Sequence, residues 1–250
     1  MAQINASNRQ ARTRRRAVLG AVALLLAGCN MSPEQDAAAI ERDILGTPGT
    51  FDLWPTIKEE YPEDFAQLIA QIQALDYKDR NNPDVTKQIG GTFLIDLIAR
   101  IAPDAVRAPA PELLAWSRAE SNLYATLKRG AVSECASLTM GKPIFVNQSN
   151  AAATSAIARR TVAIIRAAAA AGRDPQTYAE PAEAEWVQLF DAIAATGLPP
   201  DLQNALGSET AMQSLTEEQQ CDVGAALYAG LSNLPDDVEP HVAAFVLGAE

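Results

Sequence analysis

Along most of the chain, apolar residues return every three or four positions, the period of one face of an α-helix. Phe65, Leu68, Ile69, Ile72 and Leu75 follow this spacing, with Pro62 near the start of their run. Asn82-Pro83 opens a second run through Ile89, Phe93, Leu94, Leu97, Ile98 and Ile101, which Pro103 is expected to close. Its Gly90-Gly91 pair costs about 1 kcal/mol per glycine in a helix and points to a close neighbour or a kink. Leu113, Trp116, Tyr124 and Leu127 mark a helix from about Glu112 to Lys128. An alanine-rich helix begins at Asn150, carries Ile157, Ile164 and Ile165, and ends near Gly172. Pro181 begins another, with Trp186, Leu189, Phe190 and Ile193 as its core face and Gly197 as its stop. Val223, Leu227 and Leu231 form the next, ended by Pro235, and Val242, Phe245 and Val246 the face of the last.

Local chemistry at the ends of these runs agrees with the periodicity. Ser32-Pro33-Glu34-Gln35 and Thr216 to Gln219 both read as capping boxes, in which a hydroxyl and a side-chain amide satisfy free backbone N–H groups reciprocally. The stretch "MGKPIFVNQSN" is the one place resembling extended chain; with no partner strand it reads as a loop. The expected fold is therefore all-α, a multi-helix bundle-like domain with short connections. The proline-rich segment "APDAVRAPAP", around residues 103–111, is the candidate joint between two helical subdomains.

One stretch departs from this pattern. In "RRRAVLGAVALLLAGC", Arg14 to Cys29, the apolar run from Ala17 to Gly28 has twelve residues, against the roughly 20 needed to span a bilayer. A basic region, a short apolar core and small residues before a boundary make a secretory signal peptide. Leu26-Ala27-Gly28-Cys29 resembles the lipobox of bacterial lipoprotein precursors, over the first 29 residues only. That resemblance implies lipidation of the Cys29 thiol, cleavage between Gly28 and Cys29, and acylation of the new amino terminus. Cysteine is required because its sulfur forms the thioether to lipid; Ala27 and Gly28 are small enough to admit the peptidase. In this family, an aspartate after the cysteine tends to retain the protein in the inner membrane. Asn30 stands there, so the expected address is the outer membrane, facing the periplasm. The chain then divides into a signal peptide (1–28), a short anchor-proximal segment (29–50) and a helical domain (51–250).

Composition narrows the function. Hydrophobic residues make up 48% of the 250, enough for a sizeable core. Five of the 20 basic residues, Arg9, Arg12, Arg14, Arg15 and Arg16, precede Cys29; without them 15 basic residues face 31 acidic ones. Such a balance repels phosphate backbones, so nucleic acid is not an expected partner. His241 is the single histidine, which argues against a zinc or triad enzyme and for a solvated or capping imidazole. No metal or other cofactor is expected.

Three clusters remain. Cys135 and Cys221 are an even pair in an exported chain, and a disulfide between them is expected; they lack the CxxC spacing of redox catalysts. The acids Glu59, Glu60, Glu63 and Asp64 sit around a helix start, where the dipole explains them more simply than acid–base catalysis. Arg159, Arg160, Arg166 and Arg173 make the alanine-rich helix basic, and pairing with the acidic surface is the expected outcome. Glycine loops that cradle phosphate are missing. The leading expectation is a lipid-anchored, non-enzymatic envelope protein that binds another protein or has a structural role. The alternatives are a cell-envelope hydrolase using acidic residues and a small-molecule binding module. They separate on geometry: a cleft with converging carboxyls, an apolar cavity, or a broad exposed apolar patch.

Overall fold

The computed structural model describes residues 32–47, 50, 52–142, 144 and 150–248. Among them lie thirteen helices and no strand, so the fold is all-α. In chain order these are α1 (Pro33–Leu45), α2 (Leu53–Glu60), α3 (Pro62–Gln73), α4 (Tyr77–Arg80), α5 (Pro83–Ala105), α6 (Ala110–Gly130), α7 (Val132–Thr139), α8 (Ala151–Arg173), α9 (Glu183–Ala195), α10 (Pro200–Gln203), α11 (Glu209–Gln213), α12 (Glu217–Leu231) and α13 (Glu239–Gly248).

The expected caps are formed. Ser32 Oγ accepts from the Gln35 backbone N–H at 3.3 Å while Gln35 Oε1 accepts from the Ser32 N–H at 3.0 Å, and Thr216 and Gln219 repeat the arrangement. Asn82 and Asn150 cap α5 and α8 with their side-chain oxygens. The helices differ from expectation in several places. Pro103 does not close α5, which runs on to Ala105 with the proline inside its last turn. Helix α2, an additional element ahead of Pro62, stops at Glu60 and leaves Tyr61 as its non-helical cap, because Pro62 occupies the first turn of α3 and its ring disfavours a helical residue before it. Helix α7, which carries Cys135, has only eight residues, too few for periodicity to reveal. Of the expected loop Met140 to Asn150, most residues lie outside those described.

Two helices act as hubs. Helix α8 is flanked by α2, α5 and α6, and its buried Ala153, Ala156, Ala167, Ala168 and Ala171 let those neighbours lie close. Helix α12 receives α6, α7 and α9. Buried residues from Ile40 in α1 to Leu247 in α13 join in one core. The helices on both sides of residues 103–111, α5 and α6, pack on α8. Gly90 faces the Trp54 ring, from which an added Cβ would stand 3.7 Å away, an ordinary contact, and nothing would lie within 4 Å of one on Gly91. The close approaches are instead on α12. A Cβ on Gly230 would lie 3.0 Å from the backbone nitrogen of Ile193 and 2.7 Å from its Cγ1. Since α9 would have to move away, Gly230→Ala is expected to destabilise the protein by about 1–3 kcal/mol, although alanine favours the helix by about 1 kcal/mol. Urea denaturation of the two proteins reads the difference.

Cys135 of α7 and Cys221 of α12 are bonded, with sulfurs 2.07 Å and Cα atoms 5.1 Å apart. Both are buried, and the same core holds the stacked rings of Tyr124 and Tyr228, whose centroids are 4.8 Å apart.

Candidate interaction face

Helices α9 and α13 meet at one corner of the bundle. The sequence of α9, EAEWVQLFDAIAA, is apolar over more of its circumference than one neighbour covers. Leu189 and Ile193 take the inner positions against α12 and are buried. Phe190, read from the periodicity as core, lies on the surface instead, 49% exposed, with Val187 one turn away at 52%. The expected core residue Phe245 of α13 is likewise 48% exposed, and Trp186 is half-buried. The Trp186 and Phe245 rings meet edge to face with centroids 5.3 Å apart, joining both helices into one patch. Covering the exposed halves of Phe190 and Phe245 is worth about 1 kcal/mol each, an incentive the isolated fold leaves unused.

Next to the patch is a polar clasp. His241 Nδ1 lies 3.1 Å from Glu185 Oε1, and its ring is edge-on to Tyr178 with centroids 6.0 Å apart. The imidazole thus links α13 to α9; it is not a helix cap. Glu185 also accepts from the Ala182 backbone N–H at 2.7 Å, and this bond, with His241 second, holds its carboxyl below the usual carboxylate range. Tyr178 donates to the Ala108 carbonyl at 2.8 Å, tying the connection before α9 to the rest of the fold.

The charge contributed by this part of the chain is of one sign. From Asp174 to Glu250 the sequence has 14 acidic residues and not one lysine or arginine, whereas residues 29–173 nearly balance, with 15 basic and 17 acidic. Glu183 precedes Val187 by one turn and Asp191 follows it by one, both exposed. Among the described residues, no lysine or arginine lies within ion-pair distance of either.

The other candidate clusters are dispersed or internally paired. A cleft of about 590 Å³ opens where α2, α5 and α8 converge, lined by Glu60, Tyr61, Arg100, Asp104, Arg107 and Arg173 over an alanine floor. Its charges are matched: Arg173 to Glu60 at 2.6 Å, Arg100 to Asp64 at 2.5 Å and Arg107 to Asp104 at 3.8 Å. Burial raises the Tyr61 phenol, with Arg100 opposing and the acids adding, so it stays a hydrogen-bond donor at neutral pH. Glu60 and Asp64 of the acidic cluster are therefore ion-pair partners, as is Arg173 of the arginine set. Arg160 meets Glu120, which is fully buried and also accepts from Trp116 Nε1 at 3.0 Å.

A second buried acid, Glu239, is 1% exposed at the start of α13, and its Oε1 has no hydrogen-bond partner among the described residues. Burial pushes its carboxyl above the usual range; a hydrogen bond from Ser117 and the nearby Arg118 oppose this, and Asp236 adds to it. Desolvation thus outweighs the favourable helix N-terminus. A carboxyl whose folded pKa is raised favours the fold most below the ordinary carboxylate pKa, and that benefit is lost as pH rises through the folded value. Glu239→Gln is expected to raise stability at pH 7 by about 1 kcal/mol and to change it little near pH 4. Thermal melts across that range check the sign.

Gly28 and Cys29, the expected cleavage and lipidation residues, lie outside the described residues. Among the described residues no helix is long and apolar enough to cross a membrane, and no group of three or more His, Cys, Asp or Glu is placed to hold a metal ion. The chain matches no protein-family model, no curated protein and no solved structure. Sequence periodicity placed Phe190 and Phe245 in the core and passed over Val187; the signal available was the stretch without cations that contains all three.

Proposed function

We propose that this is a lipid-anchored protein of the bacterial envelope, held at the periplasmic face of the outer membrane, that works by binding another protein through the α9–α13 face. The observation that carries the binding role is the contiguous exposed patch of Val187, Phe190 and Phe245, locked by the Trp186–Phe245 contact. Evenly scattered apolar residues would need no explanation, but a clustered aromatic face on a charged protein is the mark of a docking surface. A cleft with converging carboxyls would favour a hydrolase; the carboxyls of the α2–α5–α8 cleft are instead matched by arginines.

The anchor rests on the lipobox Leu26-Ala27-Gly28-Cys29. Each acyl methylene adds about 0.8 kcal/mol of membrane affinity, so two or three chains hold the domain at the bilayer essentially permanently. Tethering confines the search for a partner to one surface and raises its effective concentration there.

Two variants of the full chain test the reading. Cys29→Ser is expected to abolish palmitate labelling and release the protein from membranes. The pair Phe190→Ser and Phe245→Ser is expected to leave labelling and folding intact while shifting the protein, in native gels of mildly solubilised envelopes, from a complex to the free form. Unchanged labelling of the first variant contradicts the anchor, and an unchanged complex with the second contradicts the docking role.

A further inference from the structure

Resting on the docking reading above, we infer that the α9–α13 face takes a cationic amphipathic protein segment: one or two apolar side chains flanked by lysine or arginine. The aromatic patch supplies the apolar half of that recognition. The other half is the rim of unpaired acid. Glu183 and Asp191 bracket Val187 on the exposed side of α9, and all charge contributed by the 77 residues from Asp174 onward is negative apart from any on His241. Of the cations on the preceding helices, Lys128 pairs with Asp222 of α12 at 2.8 Å, and Arg118 of α6 lies near Glu239 at the start of α13.

The sign of the rim decides among occupants. A second copy docking face to face would set Glu183 and Asp191 against their own counterparts, and like charges juxtaposed across an interface cost several kcal/mol. An anionic bilayer surface is repelled for the same reason. An acidic or neutral apolar segment gains only the patch and leaves the rim carboxylates to be partly desolvated without compensation. A segment bearing lysine or arginine on either side of an apolar anchor gains both terms, and the acidic excess of this half steers it before contact. The Glu185–His241 clasp holds α9 against α13 so that acid and aromatic groups keep a fixed relation.

The test uses the full lipidated chain in phosphatidylcholine vesicles, with protein-free vesicles as the blank. Its probe is a short synthetic peptide with leucine and phenylalanine flanked by lysines; a twin peptide carries glutamate in place of each lysine. The lysine peptide is expected to bind at least ~10-fold more tightly than its twin, and more weakly as salt is raised from about 50 to about 500 mM. Phe190→Ser with Phe245→Ser is expected to reduce that binding ~10-fold or more with the melting temperature retained. Glu183→Lys with Asp191→Lys is expected to do the same, whereas Glu34→Lys with Asp84→Lys, an equal change in net charge on α1 and α5, leaves binding within about twofold. Equal binding of the two peptides overturns the inference about charge while leaving the docking reading standing. Binding that ignores the phenylalanines, or that falls equally with both lysine pairs, reduces the effect to general ionic attraction and overturns it. Absence of binding by either peptide, or a dimer of the chain that dissociates on Phe190→Ser, overturns it as well.

Discussion

Replacing Cys135 and Cys221 with serine is expected to lower the free energy of unfolding by about 4–5 kcal/mol. The bond closes a loop with a sequence separation of 86 residues. Holding the ends of such a loop together removes conformations from the unfolded chain, and the chain-entropy relation gives a stabilisation of about 4.6 kcal/mol at that length. Its location concentrates the effect. Helix α7 has eight residues, too short to persist alone, and its packing against α12 is what the bridge secures. Because α12 also carries α9, loosening α7 is expected to weaken the seat of the aromatic face as well as overall stability. Denaturant unfolding of the serine pair, and of the native chain with and without reductant, measures the loss; a change under about 1 kcal/mol contradicts the assigned role.

The second large effect is expected at Arg160. Glu120 has no exposed surface, and Arg160 and Trp116 both donate to its Oε1. Arg160→Met keeps much of the side-chain volume and removes a charge-assisted hydrogen bond to this buried carboxyl. Breaking a buried pair from one side costs about 3–5 kcal/mol. Replacing both partners, Arg160→Met with Glu120→Gln, is therefore expected to recover about half of the loss or more. A double-mutant cycle by equilibrium denaturation reads this non-additivity. Additive losses would show that the two residues act separately.

Those effects concern the frame; the aromatic face concerns what the frame presents. Features fixed by neighbours in sequence were legible in the chain. Ser32 and Thr216 sit at helix starts because their hydroxyls reach N–H groups three residues on, a relation that spacing alone states. The apolar stripes of α3 and α6 were legible for the same reason. Tertiary coverage was not. Helical spacing says that Leu189, Phe190 and Ile193 share a side of α9, but α12 approaches through Gly230 and covers only Leu189 and Ile193. Parity and compartment pointed to the Cys135–Cys221 bond, yet the short helix that delivers Cys135 gave no periodic signal. Charge was readable in principle, but summing it over the whole chain hid its division into a nearly balanced part and a purely acidic one after Arg173. The grouping of Glu60, Asp64, Arg100 and Arg173 about one cleft depends on three helices converging, which no local pattern encodes.

Coverage of the Val187–Phe190–Phe245 patch by another protein in the cell is the expectation on which the proposed role depends. Its most direct test is a photo-crosslinking amino acid placed at Phe190 of the full chain, illuminated in intact cells, with the same residue at exposed Asp84 on α5 as the reference. A discrete adduct at position 190 that is missing at position 84, and is lost when Glu183 and Asp191 become lysine, is the predicted result. Equal labelling at the two positions, or none at 190, would contradict it.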